Sequence, residues 1–244
     1  VAAALAGWIV TAVRMDGMDA GPGTGLGGLG WFVGVWVTMM AAMMLPAVVP
    51  MAAAYDRVAR TRRAPGALWA FLGGYLAVWA AFGVLAFGID ALVRALDPSF
   101  LAWDAQGPLV AGGALVVAGG YELTPLKRAC LRHCRSPLHF LLGQWRDGRA
   151  GAVVLGVTHG GWCVGCCWGL MLVLLALGVM SVLWMLLLAA VIFAEKVAPF
   201  GERAARWLAV ALVVLGAWVA AAPSTVPGLT EPASDGAGMD MPMR

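Results

Sequence analysis

Charge is the scarcest property of this chain: Asp, Glu, Lys and Arg make up 12% of its 244 residues, about half of the ~25% carried by an ordinary soluble domain. That scarcity argues against a soluble fold with a solvated surface. No Walker-type Gly-rich loop is present and no polar stretch could form a nucleotide domain, so an ATP-driven engine is excluded. Cysteine and histidine are missing from most of the sequence. All five Cys and all three His lie between Cys130 and Cys167, whereas a disulfide scaffold would scatter its cysteines through loops. The modest net charge of +3 identifies no nucleic-acid partner, because the cations follow the alternation described below.

What is present is apolar length. Hydrophobic residues make up 62% of the chain, in runs far longer than the roughly 10–14 residues that a soluble core can hide. The expected fold is all-α, a polytopic transmembrane helix bundle of about six to seven spans. These read as 31–55, 66–88, 107–121, 151–178, 182–198 and 207–222, with 1–13 as part of a further helix. The step from Gly178 to Ser181 reads as a tight reversal. A single bundle over 1–222 is expected, followed by a flexible extracytoplasmic tail at 223–244. Lys and Arg in the connections set the orientation. Thirteen of the sixteen fall in 56–65, 122–150 and 195–206, which are expected to face the cytoplasm of a bacterial-type inner membrane. Arg14, Arg94 and Arg244 are left on the other side. Paired glycines seven residues apart, Gly112-Gly113 and Gly119-Gly120, predict a helix face bare enough for close packing. Pro46 and Pro50 interrupt the first long span.

Chemistry is concentrated on one helix. At about 100° per residue, Cys163 lies about 40° round from His159, Cys166 about 20° the other way and Cys167 about 80°. One imidazole and three thiols therefore share a stripe, roughly 12–24 Å along the span from its cytoplasmic start, near mid-membrane. An imidazole in lipid needs a partner. A second sulfur group, Met40, Met43 and Met44, is expected at a similar depth, although methionine is also a common core filler. The loop adds Cys130, His133 and Cys134, with Cys130 and Cys134 one helical turn apart. Lys127, Arg128, Arg132 and Arg135 around them would favour thiolates, or the segment lies as a basic amphipathic helix on headgroups. Glu122 and Glu195 sit at the same edge, and an intramembrane acid is a functional candidate by default. Met/Asp segments at Met15–Asp19 and Met239–Met243 recur on the outer side and suit weak copper(I) capture.

The stretches MMAAMMLPAVVP (Met39–Pro50), YELTPLKRACLRHCRSPL (Tyr121–Leu138), HGGWCVGCCWGLMLVLLALGVM (His159–Met180) and the Glu195–Lys196 pair resemble the family called domain-of-unknown-function 2182. Its members are described as predicted metal-binding integral membrane proteins. The resemblance covers roughly residues 31–199. It implies that Cys130, His133, Cys134, His159, Cys163, Cys166 and Cys167 act together on a metal that it does not name.

Soft sulfur with imidazole selects copper(I) first, then zinc or iron. The leading expectation is copper(I) binding, transfer or transport without catalysis, with the lipid bilayer and a soluble metal carrier or other membrane subunits as partners. Two alternatives stay open: a non-catalytic accessory subunit of a larger membrane complex, and thiol–disulfide exchange through the Cys163-x-x-Cys166 pair. Two geometries also compete. Either the methionines pack on Cys163 and Cys166, or the Cys130 loop folds back over His159 as a rim site of zinc or iron character.

Overall fold

The computed structural model describes residues 6–9, 28–62, 64–96, 107–176 and 182–222. All regular structure among them is helical. The elements are α1 (Leu29–Thr61), α2 (Ala67–Ala95), α3 (Gly107–Glu122), α4 (Pro125–Arg135), α5 (Pro137–Gln144), α6 (Gly148–Ala176), α7 (Val182–Val197) and α8 (Gly201–Ala221). Residues 6–9 are also helical, and Gly7 sits against Ala42 of α1. The 178–181 reversal, both Met/Asp segments, the 223–244 tail and most of 1–13 lie outside the described residues.

Among the described residues, four helices, α1, α2, α6 and α8, are long and apolar enough to cross a bilayer, and α3 with α4 makes a fifth candidate bent by 64°. Of the expected six to seven spans, the one read in 1–13 lies mostly outside the described residues. As described, α3 and α7 have 16 residues each, a rise of about 24 Å against a hydrocarbon core of about 30 Å. Both prolines of the first span lie inside α1, which continues through them to Thr61.

The core is built by aromatic interlock and by glycine. Along α1 and α2, Phe32 meets Phe87, Trp36 meets Phe82, and Tyr55 stacks on Phe71, so the two helices run antiparallel. Trp36 Nε1 donates to the Trp79 carbonyl at 3.0 Å. A Cβ on Gly156 would stand 2.0 Å from the Phe71 carbonyl oxygen, and Gly160 abuts Tyr75 and Val78. Backbone contact therefore sets the α2–α6 spacing, and these helices run parallel. Gly112 faces the Gly216 carbonyl and Gly119 the Ala209 carbonyl, which makes α3 and α8 antiparallel. Gly113 and Gly120 face open space, so half of each pair does the packing. α3 also runs antiparallel to α6, with Gly169 against Ala118 and Tyr121 donating to the Gly165 carbonyl. Every one of these relative directions agrees with the alternation read from the Lys and Arg distribution.

Candidate metal centre

The stripe on α6 forms as its spacing requires. His159, Cys163, Cys166 and Cys167 all point inward and are buried. The second contributor is α4, a short helix with defined ends. Pro125 occupies its first turn, the Thr124 hydroxyl accepts from the Lys127 N–H at 3.2 Å, and Ser136 separates it from α5. A side-chain cap and a proline at the first helical position are what start a helix of this length. α4 folds back against α6, which lacks a side chain where the two meet. A Cβ on Gly165 would come 2.9 Å from the Cys130 sulfur.

This docking gathers four thiols. Cys134 Sγ lies 3.8 Å from Cys166 Sγ, and Cys166 Sγ lies 3.4 Å from Cys167 Sγ. Cys166 also donates to the Cys163 carbonyl at 3.2 Å. Cys163 Sγ receives Lys196 Nζ from α7 at 2.8 Å and meets Tyr75 Oη from α2 at 3.0 Å. The described cysteines are all free thiols. Cys166 is the shared sulfur, and Cys163 is the one held by polar groups of other helices.

The remaining candidates are placed differently. His159 is enclosed by Phe71, Tyr75 and Phe140, and its Nδ1 is buried with no hydrogen-bond partner among the described residues. His133 turns its Nδ1 to the Ala129 carbonyl at 2.8 Å and stacks on Trp162, with ring centroids 4.1 Å apart and planes 5° from parallel. Cys130 is buried against Gly165 and takes no part in the sulfur contacts above. Met40, Met43 and Met44 are fully buried on α1, which packs chiefly on α2 and α7 rather than on α6. Of the two rival geometries, the loop does fold back: Cys134 meets Cys166, while Phe140 of α5 covers His159. Among the described residues, no group of three or more His, Cys, Asp or Glu side chains is already arranged to hold a metal ion. Cys166 links Cys134 to Cys167.

Cys163 to Cys167 lie in the middle part of α6, level with the α3–α4 bend and the last turn of α7. Arg135 reaches the Glu195 and Pro199 carbonyls there. One expectation needs correction: the loop cations do not surround the thiols. Arg128 and Arg132 are exposed, while Lys127 is fully buried between Glu122 at 2.7 Å and Glu195 at 2.9 Å. The cation that touches sulfur is Lys196. Glu195 and Lys196 are consecutive, so about 100° of helix rotation separates them and sends them to different partners. Sequence reasoning passed over Tyr75 as well. The available signal was that only three tyrosines occur in the chain.

A family model described as PpoB2, copper chaperone, matches residues 33–219. The chain belongs to this copper chaperone family. The match covers α4, α6 and α7 in full, and with them every residue of the sulfur cluster. It bears out a copper-related family and lends nothing to zinc or iron; the resemblance by name to domain-of-unknown-function 2182 is a separate matter that it does not address. No curated protein and no solved structure matches the chain.

Proposed function

We propose that this chain is a membrane-embedded copper(I) chaperone that holds its ion between Cys134 of α4 and the Cys163, Cys166 and Cys167 thiols of α6. The observation that carries this reading is the 3.8 Å approach of Cys134 to Cys166, two thiols 32 residues apart on separate helices. With metal–thiolate bonds of about 2.3 Å, as for zinc, two sulfurs up to about 4.6 Å apart can share an ion. Thiolates in an apolar surrounding favour a soft monovalent cation such as copper(I). Small side-chain shifts convert the present thiol–thiol contacts into ligation.

Membrane integration is supported by the four long apolar helices and by large apolar residues left exposed on their outer faces, including Trp69, Leu85, Trp207 and Val214. The helix directions fit the alternation of cations that puts 56–65, 122–150 and 195–206 on the cytoplasmic side. The cluster then lies beneath α4 and α5, where a soluble carrier or a membrane subunit can exchange the ion. Elemental analysis of the detergent-purified chain tests the reading. The chain should carry copper, and the Cys163→Ser, Cys166→Ser double variant should lose it. Unchanged copper content in the folded double variant would refute the proposed site.

A further inference from the structure

A buried ionic group lies next to the sulfur cluster. Lys127 on α4 is enclosed by Glu122 at the end of α3 and Glu195 on α7, and all three side chains are 98% buried or more. Two carboxylates around one ammonium leave one negative charge in excess. An uncompensated charge in such a place is strongly disfavoured. Among the described residues, Glu195 Oε1 has no hydrogen-bond partner, and neither does Glu122 Oε2, although the latter stands within ion-pair distance of Lys127. A cavity of about 210 Å³ opens onto this group, lined by Glu122, Lys127, Arg128, Leu131, Glu202 and Arg206. Residue Lys196, next to Glu195, bonds Cys163, so consecutive residues of α7 join the carboxylate group to the thiols. Lys127 also interacts electrostatically with Cys167 and Cys166.

We propose that Glu122, Lys127 and Glu195 form a proton-accepting site that takes up a proton displaced from the thiols when copper(I) binds, and exchanges it with water through the cavity. This rests on the copper(I) reading above. For two protonated thiols the step balances as follows. Two S–H bonds break and two S–Cu bonds form, copper stays monovalent, and no electrons move. One proton forms an O–H bond on a carboxylate of the group, and the other leaves to water. The sulfur site, with two thiolates, one copper(I) and the Lys196 ammonium, is then neutral, and so is the protonated Glu122–Lys127–Glu195 group. Copper(I) entry thus becomes an electroneutral exchange for one proton, which avoids leaving net charge inside the bundle. The charged groups facing the acceptor are Lys127 and Arg128 from α4, Glu195 from α7, and Glu202 and Arg206 from α8, with the Cys166 and Cys167 thiols on the α6 side.

Difference infrared spectroscopy on the full chain in detergent, before and after anaerobic addition of copper(I), tests the proposal. A protonated-carboxyl band should appear on loading and shift when glutamate carboxyl groups are labelled with ¹³C in the unaltered chain. Glu122→Gln and Glu195→Gln should each abolish the band while saturating copper is still bound, because either change leaves the group neutral without a proton. Copper bound with no such band, or with a band insensitive to the label, overturns the proton site alone. Failure of the unaltered chain to bind copper(I) overturns the copper reading and this proposal with it.

Discussion

Lys196 Nζ donates to Cys163 Sγ at 2.8 Å, and both side chains are buried between α6 and α7. This contact gives the sulfur cluster a fixed positive neighbour without a metal. Replacing Lys196 by Leu removes the charge while keeping an apolar side chain that offers copper no ligand. Copper(I) affinity is expected to fall about tenfold, or ~1.4 kcal/mol, in competition with a chromophoric chelator. Affinity equal to that of the unaltered chain would reduce Lys196 to a packing residue.

The two thiols of α4 should behave differently. Cys134 touches Cys166, whereas Cys130 is seated against Gly165. Cys134→Ser is expected to lower bound copper measured by elemental analysis, and Cys130→Ser to leave the stoichiometry unchanged. Equal losses in the two variants would show that the ion draws on both thiols.

Much of this arrangement can be read before any coordinates exist, and the boundary has a physical cause. The His159–Cys167 stripe follows from helical periodicity alone, since its members share one helix. The α4 segment is announced by its bracketing prolines and by Thr124. Pairings between helices were out of reach. Lys127 reads as one more solvated cation in a basic run, and only the docking of α4 against α3 and α7 reveals that Glu122 and Glu195 enclose it.

Glycine substitutions provide a test of packing that does not involve metal. A Cβ at Gly112 or Gly119 would enter the backbone of α8, but at Gly113 or Gly120 it meets nothing. Gly112→Ala and Gly119→Ala should each cost roughly 1–3 kcal/mol through overpacking. Gly113→Ala and Gly120→Ala should be neutral or stabilising by about 0.5–1 kcal/mol through helix propensity. Thermal denaturation in one detergent, followed by circular dichroism, distinguishes the two outcomes. Uniform behaviour across the four variants would contradict the α3–α8 interface.

Orientation can be examined independently of the site. Reporter fusions ending at Arg62 and at Gln144 are expected to fold in the cytoplasm, and those ending within 97–106 on the opposite side. The opposite pattern would put α4 and α5 on the outer side and remove cytoplasmic carriers as partners.

The cluster also has a chronology. A chain made from its N-terminus completes α4 and α6, and with them all five thiols, before Lys196 of α7 exists. An unfinished chain therefore carries every sulfur without the cation that sits on Cys163 and without the Glu195 carboxylate that completes the enclosure of Lys127. Arrival of α7 adds both in consecutive residues. That makes the Glu195–Lys196 step the last piece of the site to be delivered during synthesis, and a chain stopped at 176 is expected to expose thiols that the finished protein keeps covered.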